Sequence, residues 1–201
     1  MNLWKLLNYI NESIETVTPE TFYCFSRDEC EKLANTMHRY AIIHEKKKVP
    51  IVFLMIGTNC IMFDSLAPMV GSRLIEASNG ELIVFGTMER PVHALNLNHT
   101  LDRLYKQYPD AYVIAIDASL GFIRDIGKVT FSPMPLQPGA GVGKCLPETG
   151  DISICGVVGT PSKDSLPEHE ISEQGLEDMV CFIATSCLLF YDKYSSAYSC
   201  A

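Results

Sequence analysis

The stretch IVFLMIGTNCIMFDSLAP, residues 51–68, begins as a continuous apolar run and ends in a polar segment that carries one carboxylate, Asp64. Continuous rather than alternating apolar residues are typical of a strand that is buried on both faces of a parallel sheet. Asp64 comes just before a helix predicted over 65–78, whose first turn accommodates Pro68 because no N–H is needed there. The stretch therefore predicts the strand–loop–helix unit of an α/β fold, with an acid at the exit of the strand.

The same pattern extends in both directions, because apolar strands and amphipathic helices alternate along the chain. Such alternation favours a mostly parallel sheet covered by helices on both faces. We expect a single α/β domain over 1–201, with an N-terminal helical segment over 1–46 packed on it. One helix begins with a capping-box pattern, Ser26 and Glu29. The predicted helices cover 2–14, 26–45, 65–78, 97–108 and 171–195, and the predicted strands cover 49–57, 81–87, 111–117, 127–134 and 151–159.

Composition and charge argue against several classes of function. A net charge of −8 disfavours a nucleic-acid backbone as the main partner. The eight cysteines show neither CxxC nor zinc-finger spacing, and several lie in apolar runs, which predicts reduced, buried thiols. The apolar stretch 179–190 is too short to span a bilayer, and the first residues lack the features of a secretory signal. We therefore expect a cytoplasmic protein that has no membrane partner.

A second acid, Asp117, occupies a place equivalent to that of Asp64, after the apolar strand in YVIAIDASLG, residues 112–121. If the strand order begins 2-1-3, the first and third predicted strands are neighbours, about 4.8 Å apart. Both acids then face the crevice beyond the carboxyl ends of the strands, where ligands bind in such sheets. Two nearby carboxylates repel, so that one keeps its proton while the other is ionised, and the pair can perform general acid–base chemistry. Alternatively, the pair holds a metal.

Each acid also has a purely structural explanation. An aspartate just before a helix is a favoured N-cap, worth about 1 kcal/mol, which would account for Asp64. An aspartate at the end of a strand often accepts hydrogen bonds from the next turn, which would account for Asp117. Both explanations stay open at this stage.

The glycine-rich loop PGAGVGK, residues 138–144, resembles a phosphate-binding loop but fails the pattern, since Pro138 and Cys145 stand where Gly and Ser or Thr are needed. Glycine lets backbone approach a ligand closely. We therefore predict a substrate-binding loop that uses Gly139, Gly141 and the positive charge of Lys144. The alternative is a tight connection with a surface lysine.

Four further residues at the same sheet edge are predicted to contact substrate: Asn59, Gly86, Thr87 and His93. Asn59 follows the first strand, and Gly86 and Thr87 follow the second. His93 lies in the loop beyond them and is a candidate base or ligand. The alternative for His93 is that it only satisfies a hydrogen bond of its own loop.

Five motifs in this order, GTNCIMFDSLAPMVG, FGTMERPVHALNL, VIAIDASLG, PGAGVGK and LPETGDISICGVV, resemble the YyaC family of sporulation proteins. The resemblance covers residues 51 to about 160. That family is in turn similar to the germination protease of spore-forming bacteria, which degrades small acid-soluble spore proteins. The similarity implies a three-layer α/β/α sandwich of the phosphorylase/hydrolase-like kind. It also implies two functional aspartates, which fall on Asp64 and Asp117.

Hydrogenase maturation proteases share the implied fold but depend on nickel. They place a metal-binding Glu after the first Asp, where this chain has Ser65, and an acid before the Gly-Thr, where it has Val84 and Phe85. The resemblance therefore implies no metal and no other cofactor.

The leading hypothesis is a germination-protease-like peptidase of the sporulating cell or forespore. Its substrate would be a spore protein or peptide, with small acid-soluble spore proteins first among the candidates. One alternative is a non-catalytic sporulation factor that binds a peptide or protein partner at the same sheet edge. Another, from fold analogy alone, is a small-molecule hydrolase or phosphorylase. The oligomeric state is left open.

Overall fold

The computed structural model describes residues 19–23, 26–44, 49–139, 146–161 and 170–198. The helix predicted over 2–14 lies outside these residues. Single 3₁₀ turns occupy Phe63–Ser65 and Ile123–Asp125. The strands and α-helices of the described residues are, in chain order, β1 (Glu20–Tyr23), α1 (Arg27–His44), β2 (Ile51–Met55), α2 (Leu66–Ala77), β3 (Ile83–Phe85), α3 (Leu97–Gln107), β4 (Tyr112–Leu120), β5 (Lys128–Ser132), β6 (Ile152–Gly159) and α4 (Glu173–Ala197).

The strands form one six-stranded sheet in the order β1-β5-β6-β4-β2-β3. The four strands β3, β2, β4 and β6 run parallel. At one edge β5 pairs antiparallel with β6, and β1 pairs antiparallel with β5. The assumed 2-1-3 order is present, because β2 lies between β3 and β4. The carboxyl ends of β2 and β4 therefore meet at the same edge of the sheet.

Helices cover both faces of the sheet, which makes three layers. In β2, Phe53 and Met55 are fully buried in the core shared with α1, α2 and α4. Val52 and Leu54 are fully buried on the opposite face, in the core shared with α3. Every residue of β2 thus packs against a helix layer on one face of the sheet or the other, which explains why the strand is apolar throughout. The predicted three-layer α/β/α sandwich is confirmed.

Between the helices predicted over 2–14 and 26–45, the N-terminal segment contains a strand that the sequence did not predict, because Glu20–Tyr23 forms the edge strand β1, paired antiparallel with β5. Phe22 is buried in the strand, while Tyr23 is half exposed. The Glu20 carboxylate binds Arg39 of α1 at 2.9 Å and so ties the strand to the helix. A strand of four residues with one buried side chain is too short for the alternation of apolar and polar residues to be recognised in the sequence.

The start of α1 confirms the N-cap half of the predicted capping box, the bond to the Ser26 side chain. The Glu29 backbone N–H donates to Ser26 Oγ at 3.3 Å, as an N-cap serine requires. The Glu29 side chain binds Lys32 one turn on. On the inner side of the helix, Leu33 and Met37 are fully buried.

The five cysteines in the described residues are all free, but they are not all buried as the sequence predicted. Cys30 and Cys187 are buried, and burial raises the pKa of both thiols. Cys60 and Cys181 are exposed. Cys60 lies in the loop after β2, and Cys181 lies on the exposed face of α4 although its two sequence neighbours are buried. The thiol of Cys155 is partly buried at the sheet edge described below.

The apolar stretch 179–190 lies within α4 and provides much of its buried face, including Phe182, Ile183 and Phe190. This is the buried helix face that the sequence predicted. In the described parts of the chain, no helix has both the length and the apolar character needed to cross a membrane.

Candidate functional site

A cavity of about 450 Å³ opens beyond the carboxyl end of β2, beside the part of β4 that continues past it. Both predicted acids line it, Asp64 from the loop after β2 and Asp117 from β4. The parallel pairing of β2 with β4 brings the two acids together from positions 53 residues apart. Predicted residues Asn59, His93 and Gly139 line the same cavity.

Asp117 is embedded in β4 and does not end it, since the strand continues to Leu120. Val113 and Ala115 pack in the core below α3, and strand alternation places Asp117 on that same face. Its Oδ1 accepts the backbone N–H of Ala118 at 2.8 Å. Burial raises the pKa of the Asp117 carboxyl to about 7; the Ala118 hydrogen bond lowers it, and the charge of Asp64 raises it further. One acid of the pair therefore keeps its proton close to neutral pH.

The raised pKa of Asp117 predicts that the stability of the protein depends on pH. The folded protein holds the Asp117 proton up to about pH 7, whereas an unfolded aspartate loses it near about pH 4. In that window the native state binds the extra proton, so the free energy of unfolding falls as pH rises. Asp117→Asn removes this loss. We therefore expect the free energy of unfolding of the variant, relative to the wild type, to be about 2 kcal/mol higher at pH 8 than at pH 5.

Urea unfolding of both proteins at the two pH values measures the difference. Asp110→Asn, at an exposed position before β4, controls for the loss of one carboxyl group. A gain at pH 8 no larger than at pH 5 would show that burial does not hold the Asp117 proton.

Asp64 lies in the 3₁₀ turn that leads into α2. The N-cap position of α2 belongs to Ser65, so the N-cap explanation does not describe Asp64. The backbone carbonyl of Asp64 accepts the Thr58 N–H at 3.1 Å, which closes the loop between β2 and the turn. The fold thus holds the backbone of Asp64 against the start of its own loop.

Gly57 determines how closely that loop can fold, although the sequence prediction did not select it. Its φ of +154° and its contacts both exclude a side chain: a Cβ there would lie 2.1 Å from the Asp64 carbonyl oxygen. Its N–H donates to the Val92 carbonyl at 2.8 Å. A glycine directly after a buried strand is the sequence signal that could have identified it.

Asn59 and His93 come from two different loops. The Asn59 side-chain amide donates to the Met88 carbonyl at 3.0 Å and so connects the loop after β2 with the loop after β3. His93 Nδ1 accepts the Leu95 N–H at 3.3 Å, which leaves the proton of a neutral imidazole on Nε2. The loop hydrogen bond that the sequence left as an alternative is present, and the same ring lines the cavity.

The remaining predicted residues are placed differently. Gly86 and Thr87 line a neighbouring groove of about 590 Å³, which shares Pro91 and His93 with the aspartate cavity. A Cβ on Gly86 would lie 2.2 Å from the Met55 carbonyl oxygen, so this glycine allows close packing on β2. The last two predicted residues, Gly141 and Lys144, lie outside the described residues.

Two cysteines near the acids were not predicted as part of the site. Cys60 is exposed in the cavity wall, and its thiol lies 3.4 Å from Asn59 Oδ1. Cys155 is the β6 neighbour of Asp117, and burial, with a smaller contribution from the Asp117 charge, raises its pKa to about 12. Cys155 therefore remains a thiol at neutral pH, and the carboxyl groups are the better acid–base candidates.

Comparisons with known proteins agree with the motif resemblance. The family described as "Protein of unknown function (DUF1256)" matches residues 22–174. The chain is also 42% identical over 109 residues to the "Uncharacterized protein YyaC" of Bacillus subtilis (strain 168), over 54% of this chain and 53% of that protein. It thus spans about half the length of this relative. Because the family match includes both aspartates and strands β2 to β6, over most of the sequence, the chain belongs to the DUF1256 family, and its similarity to YyaC supports the predicted resemblance.

Proposed function

We propose that the protein is a peptidase that hydrolyses peptide bonds with Asp64 and Asp117. The observation that carries the proposal is the Asp117 carboxyl, whose pKa is raised to about 7 in the cavity that Asp64 also lines. General acid–base catalysis at neutral pH requires one protonated and one ionised group of this kind, held on either side of the reacting atoms.

In the proposed reaction, the Asp64 carboxylate takes a proton from a water molecule, and the water oxygen bonds to the carbonyl carbon. Asp117 donates its proton to the carbonyl oxygen, which gives a neutral tetrahedral intermediate. The C–N bond then breaks: Asp64 donates its proton to the departing nitrogen, and Asp117 recovers a proton from one of the two hydroxyl groups. One water is consumed, an acid and an amine are released, and both carboxyl groups return to their starting states.

The walls of the cavity are suited to a peptide. Ile61 and Leu95 line it and are 60% and 93% exposed, so apolar side chains of a substrate would find partners there. From the similarity of the YyaC family to the germination protease, we propose a spore protein as substrate, with small acid-soluble spore proteins tested first. The site of action would be the cytoplasm of the sporulating cell or the forespore.

The same exposed apolar residues favour a second candidate, a non-catalytic factor that binds a peptide or protein partner at this sheet edge. Such a factor would need the cavity walls but not the acid–base pair. Turnover distinguishes the two candidates.

Purified protein incubated with acid-extracted spore proteins, followed by intact mass, tests the proposal. We expect defined fragments, at a rate that falls above about pH 7 as Asp117 loses its proton. Asp110→Asn should cleave as the wild type does, since this residue is exposed and does not line the cavity. An absence of fragments from folded protein would contradict the peptidase and favour the binding factor.

A further inference from the structure

The groove beside the aspartate cavity runs along the outer edge of β3, where an additional strand could pair. Its floor is the consecutive stretch 84–87, the end of β3 and the two residues that follow. Ile75 of α2 forms one wall, and His99 and Arg103 of α3 form the other. Helices on the two faces of the sheet thus flank the outer edge of β3.

That edge offers backbone hydrogen-bonding groups. In the described part of the chain β3 pairs with β2 alone, at the end of the sheet order. An edge strand leaves alternate N–H and C=O groups pointing away from the sheet, ready to pair with another extended chain. Beyond the strand, the Thr87 N–H is already bonded to the Arg90 carbonyl and the Met88 N–H to Ser72 Oγ, so the opening is confined to residues 83–86.

The groove is basic although the protein is acidic. Arg90 and Arg103 line it, are exposed, and form no ion pair within the ranges that the structure describes. The Arg103 guanidinium lies over the Phe85 ring, 5.1 Å from its centroid, which orients it above the floor. Glu89 is the one acidic residue in this lining, and the whole chain carries −8. Two unpaired arginines in this setting favour a ligand with carboxylates.

We propose that this groove binds an acidic, extended peptide segment as an additional strand on β3, with its carboxylates held by Arg90 and Arg103. Peptide-binding proteins commonly use the free edge of a sheet in this way, with main-chain hydrogen bonds for affinity and side-chain pockets for specificity. The occupant is a segment of another protein, and the arginines select it by charge.

The groove also leads to the aspartates, because Pro91 and His93 line both spaces. β3 runs parallel to β2 and ends towards the cavity. A segment bound along β3 would therefore present its neighbouring residues to Asp64 and Asp117. This last step rests on the proposed peptidase function, whereas binding itself does not.

Binding is measured on the Asp117→Asn protein, so that cleavage does not interfere. The probe is a fluorescent peptide of alternating glutamate and valine, and its counterpart has lysine in place of glutamate. We expect the acidic peptide to bind and the basic one not to bind. The double variant Arg90→Glu, Arg103→Glu should weaken the acidic peptide by roughly tenfold or more and allow the basic one to bind. Lys193→Glu, an exposed site on α4 that does not line the groove, should change neither affinity.

Strand addition is separated from simple charge attraction by the peptide backbone. Two forms of the acidic peptide are N-methylated, one at the odd-numbered amides and one at the even-numbered amides. Only the form whose methyl groups replace the N–H groups that face β3 should fail to bind. In a separate measurement, the bound unmethylated peptide should slow amide hydrogen exchange of residues 83–86. Equal binding of the acidic and basic peptides, or of both methylated forms, would overturn the proposal. So would concentration-dependent protection of 83–86 without peptide, since it would make a second copy of the chain the occupant. Binding without any cleavage by the wild type would remove only the peptidase.

Discussion

Asp64→Asn and Asp117→Asn are each expected to lower the rate of spore-protein cleavage by roughly 10²–10⁴-fold, the usual contribution of a general acid or base. Asparagine has nearly the size of aspartate but neither accepts the proton from water nor carries one to the carbonyl oxygen. The two residues line one cavity, Asp64 from the turn after β2 and Asp117 from the neighbouring strand β4, so the loss of either leaves the other without its partner. The double variant should be little slower than the slower single one, because the pair acts as a unit.

Single-turnover cleavage rates, together with urea unfolding of each variant, check this result. The folds should remain intact, since neither substitution changes the volume of a packed apolar core. Asp110→Asn, at an exposed position, is again the control for the loss of one carboxyl group. Cleavage by either single variant at the wild-type rate would exclude an aspartate pair as the catalyst.

Gly57→Ala is expected to destabilise the fold by about 3 kcal/mol and to remove most of the cleavage activity of the protein that stays folded. The added methyl would lie 2.1 Å from the Asp64 carbonyl oxygen, so one of the two backbone segments has to move. The Thr58–Asp64 hydrogen bond closes the same loop, and its loss would shift Asp64 relative to Asp117. An error of about 1 Å in a catalytic group costs about a hundredfold in rate.

Gly80→Ala provides the matched control. Gly80 also has a positive φ, +80°, but a Cβ there would meet no atom within 4 Å. Its cost should be limited to backbone strain of about 1 kcal/mol, with cleavage unchanged. Unfolding free energies and rates per folded molecule measure both effects. If the two alanine variants behaved alike, close contact between Gly57 and Asp64 could not be what positions the acid.

The sequence was sufficient for the parallel part of the fold because each buried strand is apolar on both faces. β2 is an unbroken apolar run, and β4 is one from Tyr112 to Ile116. The 2-1-3 order was an assumption, one of the common strand orders of α/β sheets. The strand β1 could not be predicted in this way, because it is four residues long with Phe22 as its one buried side chain. Its place depends on contacts with β5 and α1, which lie far along the chain or on another layer.

For the candidate site, the sequence predicted that the two acids lie together, but less of their surroundings. Asp64 and Asp117 stood out as polar residues at the exits of apolar strands, and the strand order brings them together. The sequence did not show that Asp117 lies inside β4, which is why burial dominates its pKa. It also did not separate Gly86 and Thr87 from the aspartate cavity, because that separation depends on how α3 packs beside β3.

Two hydrogen bonds between loops have an entropic consequence. Gly57 N–H binds the Val92 carbonyl, and the Asn59 amide binds the Met88 carbonyl. They join the loop that carries Asp64 to the segment that leaves β3. The conformational freedom of both loops is therefore given up when the chain folds and not when a ligand arrives. More of the contact energy of an incoming chain then remains for affinity and for holding it in a reactive geometry.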